Sequence, residues 1–290
     1  MATTNSLSSK TYRDKYRAAQ IQQALRNAVV AEKVCIVDRS DLKTISSPYV
    51  TALSTVVQAV AGTYSPANFT TSDDTLTVAD EFIVSVQIKG FEKIMANFDM
   101  FFAANQAMTN SLVTAIDKWC VNELCDGGTG TYTTPAGGFT TASNVITIIS
   151  NIISKCAGYA DALNGLYLIV ENTDITGIVQ SQVSTGFRYA DETATNGLMG
   201  SMLGVDIYVV RSGTFATAAT TTASGTKTWT NSGHRVGGVK RVSTYAYPRG
   251  LTFEEKGVTG VTGMEVVAYG LVGFKQWTPT AGLTIDITIA

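Results

Sequence analysis

The residues able to do chemistry are few and scattered. A single histidine, His234, sits between Gly233 and Arg235 at the end of a Thr-rich stretch. A lone imidazole there reads as a surface residue rather than a general base, and one histidine leaves no multi-histidine metal site. Four cysteines, Cys35, Cys120, Cys125 and Cys156, show no CxxC spacing. On a helix, Cys120 and Cys125 stand five residues apart and do not share a face. All four read as reduced, buried thiols of a protein made in a cytoplasm. Gly257 to Gly263 (GVTGVTG) imitates a phosphate-binding loop but lacks the lysine and the following helix, so it reads as a turn between strands. Asp73-Asp74 and Glu254-Glu255 are adjacent pairs, and neighbours in a strand point to opposite faces. Asp99 and Asp117 are about five helical turns apart. The expectation is a chain without catalytic, cofactor-binding or metal-binding residues, and not an enzyme.

Composition points the same way. The chain has 290 residues, 45% of them hydrophobic, enough for one large domain or two closely joined ones. A net charge of −2 gives no nucleic-acid-sized basic field. The charge is uneven, however. Residues 1–33 hold Lys10, Arg13, Lys15, Arg17, Arg26 and Lys33 against Asp14 and Glu32, six minus two, or +4, leaving −6 for the remainder. Such a segment is either a solvated helix face or a basic arm toward DNA, a scaffold or an acidic neighbour. Met1 to Lys10 is polar and unlike a signal peptide. No apolar run reaches the roughly 18 residues of a membrane span.

The elements that organise the chain centre on residues 50–125. Phe98, Phe101, Phe102, Asn105, Met108, Leu112, Ile116, Trp119 and Leu124 recur mostly at three- and four-residue steps, which predicts a helix from Asn97 to Cys125. Its length is about 43 Å, more than twice the ordinary helix of about 12 residues. Asp126-Gly127-Gly128 should stop it, with glycine available for a left-handed cap. Ahead of it runs a Thr-rich arm. Gly62 to Thr77 is turn-heavy, with Ser72-Asp73-Asp74 clustered, and Phe82, Val84, Val86 and Ile88 then alternate with Ile83, Ser85, Gln87 and Lys89. A lone two-stranded ribbon is marginal in water, so the arm is read as lying on a second copy of the chain.

Residues 11–33 suggest a weakly amphipathic helix and 38–48 a polar connection. After the long helix, Ser143 should cap a helix from Val145 to Leu163, ended by Asn164-Gly165. Then come a strand (Leu166–Val170), a short helix (Asp174–Gln182), a loop (184–200) and a strand (Val205–Val210). In residues 213–233, eight of 21 are Thr; this is a flexible loop or an inserted β-hairpin. The last third reads as strands over Arg235–Tyr245, Leu251–Glu255, Met264–Phe274 and Leu283–Ile289. The fold class is α+β.

This order of pieces resembles the major capsid proteins of tailed bacteriophages, the Hong Kong 97 fold. Four stretches carry the resemblance, which runs from about Asp38 to the C-terminus: Val50 to Glu92 as the extended loop, Asn97 to Cys125 with Ile116-Asp117-Lys118-Trp119 as the spine helix, Gly197 to Val210 (GLMGSMLGVDIYVV), and Gly250 to Glu255 (GLTFEE) followed by the terminal strands. The resemblance implies an N-terminal arm (1–49), an extended loop (50–92), a spine helix with peripheral domain (93–165), an axial domain with an insertion (166–260, insertion 213–233), and C-terminal strands returning to the peripheral domain (261–290).

It further implies self-assembly into pentamers and hexamers of an icosahedral head around double-stranded DNA, touched by non-specific contact. Scaffold and portal proteins, and a decoration protein, would be partners; a membrane would not. The chain would assemble in the host bacterial cytoplasm and reside in the virion capsid. Tyr64, Phe69, Leu76 and Glu81 are the expected interface residues of the arm, and Gly62 and Gly90 its hinges. One feature departs from the family. The type member links a lysine on this loop covalently to a neighbour's asparagine, whereas residues 63–81 here contain no lysine and Lys89 stands at the arm's base. Non-covalent overlap is therefore expected. No long scaffolding segment precedes the arm, which implies a separate scaffold. The alternatives are an encapsulin-like compartment shell and a phage tail or decoration protein.

Overall fold

The structure, a computed structural model, describes residues 30–40, 42–50, 62, 71–89, 100–156, 158, 165–185, 188–189, 198–215, 217–222, 225–248, 252–257 and 263–290. A single helical turn, α1 (Ala31–Val34), leads into β1 (Ile36–Asp38) and β2 (Thr44–Val50). The expected N-terminal helix lies outside the described residues except for this last turn. β2 begins inside the stretch read as a polar connection and takes up its end, from Thr44 to Pro48. It pairs antiparallel with β3 (Thr71–Thr77), which contains Ser72-Asp73-Asp74. That cluster is strand rather than turn, because pairing with β2 fixes it extended. Pro48 is tolerated there because β2 is an edge strand.

β4 (Asp80–Lys89) then leads to the long helix α2 (Met100–Gly127). Its 28 residues span about 42 Å. Met108, Leu112, Ile116 and Trp119 form the buried stripe read from the sequence, and Cys120, Val121, Leu124 and Cys125 extend burial around the C-terminal end. The expected left-handed cap is absent. Neither Gly127 nor Gly128 has positive φ. Glycine is needed at 128 for a different reason: a Cβ there would lie 2.8 Å from the Thr284 carbonyl oxygen. The helix end is pressed against the chain's last strand.

β5 (Gly130–Thr133) and a 3-10 turn (Gly138–Thr140) precede α3 (Ala142–Cys156). Val145, Ile148, Ile149, Ile152 and Cys156 make its buried face, at helical spacing. This helix ends at Cys156, before the expected Leu163; residues 159–164 are not described. Next come β6 (Leu166–Glu171), α4 (Ile175–Thr185), β7 (Arg188–Tyr189), β8 (Leu198–Met202) and β9 (Val205–Val210). The Thr-rich stretch is a β-hairpin of β10 (Thr217–Thr222) and β11 (Gly225–Thr230). The strand expected over 235–245 is two strands, β12 (His234–Val239) and β13 (Ser243–Ala246), in different sheets. Arg241, at φ 61, turns the corner between them, and its N–H donates to the Val34 carbonyl at 2.7 Å. β14 (Thr252–Gly257), β15 (Gly263–Gln276) and β16 (Thr284–Thr288) complete the chain.

A seven-stranded sheet, β5-β16-β12-β6-β9-β8-β7, forms the centre. β6 is buried along its whole length and shows why. Tyr167 and Ile169 face a core shared with α2, while Leu166, Leu168 and Val170 face a core built with α3 and α4. Alternation with period two thus serves two layers at once. The second sheet runs β1-β13-β15-β14, with β4 also paired to β15 over ten residues. Its inner side, Ile88, Val266 and Ala268, packs on Met108 and Leu112 of α2. Strands from the stretches 93–165, 166–260 and 261–290 therefore share sheets.

Candidate functional site: the arm, its anchor and a buried polar cluster

The arm is rooted in its own chain more deeply than its sequence suggests. The alternation of β4 is used internally: Phe82 meets Trp119 edge-on at 6.1 Å, and Trp119 meets Phe274 likewise at 6.4 Å. The element that projects is the β2–β3 ribbon. One face of it is fully exposed, with Thr44, Ser46, Pro48 and Val50 beside Thr71, Asp73, Thr75 and Thr77. The other face carries Ile45 and Leu76 into a small core with Val78, Ala246 and Trp277. Asp74 secures the same end. Its carboxylate accepts the Thr278 backbone N–H at 2.7 Å and lies 2.9 Å from the Lys275 ammonium. These bonds, those from Thr278 foremost, lower its pKa from 3.8 to about 2.

Leu76, expected at a subunit interface, is instead sealed inside its own chain at 1% exposure. The tertiary fold brings Ala246 and Trp277, 170 and 201 residues further along the chain, against it. Glu81 is half-buried opposite Leu271 in the β4–β15 pair. On the same outer face Ile83 and Leu271 are 58% and 38% exposed. Gly62 is exposed. Tyr64, Phe69 and Gly90 lie outside the described residues.

The N-terminal entry is held by Asp117, whose carboxylate accepts the Val30 N–H at 2.8 Å. The hairpin is held at its root by buried Phe215 and Trp229. The Trp229 indole N–H donates to Glu123 at 3.3 Å, and the Asn122 amide donates to the Thr214 carbonyl at 2.8 Å. Glu171 accepts the Gly213 and Phe215 N–H groups at 3.0 and 3.1 Å. Arg235 then pairs with Asp174 and Glu171, its guanidinium 5.2 Å above the Phe215 ring. The ions are buried and mutually paired, as buried charge must be.

Beside this network the fold gathers three residues that the sequence keeps apart. The His234 ring Nδ1 lies 2.8 and 3.0 Å from the two Asp286 carboxylate oxygens, and the Cys125 thiol donates to Asp286 Oδ1 at 3.1 Å. His234 is thus a half-buried partner of Asp286 and not a lone surface residue. The sequence held one signal, a single charge inside the apolar run Leu283 to Ile289. The thiol and the imidazole each bond to the carboxylate. Burial, with the Asp286 charge adding, pushes the Cys125 thiol well above its ordinary value, the opposite of an activated cysteine.

Comparison with known proteins decides the fold. No family model matches the chain, and no curated protein sequence matches it. Solved structures do. The capsid structure of cyanophage P-SCSP1u superposes with a TM-score of 0.70 at 15% identity, covering 91% of this chain and 89% of that one. Mycobacterium phage Che8 gives 0.63 at 15% identity, covering 92% and 90%. The mature capsid of bacteriophage PhiM1 gives 0.63 at 11%, covering 88% and 85%. The chain has the Hong Kong 97-like capsid fold. α2 occupies the stretch read from the sequence as the spine helix, and β3 and β4 fall within the stretch read as the extended loop (50–92). No helix among the described residues is long and apolar enough to cross a membrane.

Proposed function

We propose that this chain is the major capsid protein of a tailed phage, closing as pentamers and hexamers into an icosahedral head around double-stranded DNA. The observation that carries the reading is the capsid fold combined with a ribbon whose outer face is open along its whole length. Thr-rich strands suit pairing with a neighbour while the free subunit stays soluble. The β4–β15 outer face, with Glu81, Ile83 and Leu271, supplies a lateral contact, and Tyr64 and Phe69 supply the arm's tip. Gly62 and Gly90 are the hinges that let one arm serve five- and six-fold neighbours. The absence of lysine from residues 63–81 makes the overlap non-covalent, and a near-neutral subunit lets packaged DNA contact the shell without sequence preference. Scaffold, portal and decoration proteins would be separate chains.

The test is electron microscopy of particles made by the full chain and by a variant with residues 51–70 replaced by a short Gly/Ser linker. That boundary spares Leu76, which belongs to the subunit's own core. The expected result is closed shells from the full chain and a folded, soluble variant that forms none. Shells of normal size from the variant would refute the arm's role. Tubes or small rings from the full chain would refute the head reading. Shells holding protein cargo in place of DNA would mark a compartment.

A further inference from the structure

The cluster at the end of the spine helix has the composition of a metal site. Cys125 lies in the last turn of α2, His234 opens β12, and Asp286 is in the middle of β16. The thiol sulfur, a ring nitrogen and a carboxylate oxygen all lie within 4.8 Å of one another. Their backbones are fixed independently of any ion. β12 and β16 are paired, with Val236 opposite Asp286 and His234 opposite Thr288, and the close approach of Gly128 to Thr284 holds the helix end against β16.

The geometry points to a binding site for a zinc-class divalent cation, ligated by Cys125 Sγ, His234 Nδ1 and an Asp286 carboxylate oxygen. Zinc bonds of roughly 2.0–2.3 Å in a tetrahedron place ligand atoms about 3.3–3.7 Å apart. The present spacings bracket that range: Asp286 Oδ1 lies 2.8 Å from His234 Nδ1 and 3.1 Å from Cys125 Sγ, and the three ligand atoms are within 4.8 Å of one another. Three protein ligands leave a fourth position, and the Asp286 and His234 side chains, 20% and 25% exposed, give it an opening to solvent. The donor set selects the metal. A thiolate and an imidazole suit zinc or cobalt, whereas magnesium and calcium require oxygen ligands. On binding, the S–H bond of Cys125 breaks and the proton leaves to solvent. Thiolate and carboxylate then balance the dication, and no group is oxidised or reduced. The ion would join the spine helix, the strand after the hairpin and the C-terminal strand at one point, replacing the carboxylate-centred bonds described above.

The probe is Co2+, titrated into the full chain after removal of metal with a chelator. The expected result is one equivalent bound, with a thiolate-to-cobalt charge-transfer band in the near ultraviolet and the visible bands of tetrahedral cobalt, both erased by Zn2+. Cys125→Ser should abolish the thiolate band. His234→Gln should weaken binding by more than the ~100-fold that loss of an outer partner costs in known sites. Cys156→Ser, whose sulfur lies in α3, should leave the spectrum unchanged. If Cys125→Ser does not fold, His234→Gln decides, since its position is partly open to solvent. No thiolate band in the full chain would overturn the site, as would a band unchanged in His234→Gln or lost in Cys156→Ser.

Discussion

Two antiparallel ribbons leave the body of this protein, and they are rooted differently. β10–β11 begins and ends in the main core, where Phe215 and Trp229 are buried beside α2 and where Asn122, Glu171 and Arg235 tie down the flanking backbone. β2–β3 rests on a core of only a few side chains, Leu76, Val78 and Ala246 with Ile45 and Trp277, and on the polar clasp of Asp74. A two-stranded ribbon is marginal alone, so the root sets its stiffness. Burial of a large side chain contributes about 1.5–3 kcal/mol, whereas a hydrogen bond nets about 1. The hairpin is therefore a fixed projection and the arm a compliant one. In the proposed head, compliance would let the arm meet neighbours at more than one angle.

Substitutions at the two roots sharpen this contrast. Trp229→Ala at the hairpin and Trp119→Ala under β4 should each cost about 3–5 kcal/mol through a cavity, read as a lower midpoint in urea unfolding. A loss below about 1 kcal/mol at Trp119 would mean that the spine stripe does not form the core. Arg235→Met leaves Asp174 and Glu171 buried without their cation and should cost about 3–5 kcal/mol, again by urea unfolding. Leu76→Ala should cost less, about 2–3 kcal/mol, because its small core can partly collapse. It should also raise hydrogen exchange in β2 and β3 while leaving β10 and β11 protected; equal exchange in both ribbons would end the comparison.

Asp74→Ala is the mildest change, about 1–2 kcal/mol, and it carries a pH signature. The Asp74 carboxyl titrates lower folded, at about 2, than its ordinary 3.8. The folded state thus binds this proton less readily than the unfolded state. The stabilisation is full above about pH 4 and fades as pH falls toward 2. Unfolding midpoints of the parent and of Asp74→Ala should converge over that interval, and a gap that persists at pH 2 would contradict the clasp.

Local sequence determined several elements outright. The stripe from Met108 to Trp119 is a helix in the structure as in the sequence, β9 has its expected limits at Val205 and Val210, and β4 keeps its alternation. Periodicity reports which residues need burial, and for these elements that is enough. It does not report what buries them. Only the tertiary structure placed β4 against β15 and α2, closed Trp277 over Leu76, and sent β12 and β13 into different sheets around Arg241. The glycines after the spine helix looked like a cap and are instead a close approach to Thr284. Cys125, His234 and Asp286 are separated by 109 and 52 residues, so no spacing rule could join them. Long-range pairing of strands brings those donors together, and that pairing is a property of the whole sheet rather than of any segment in it.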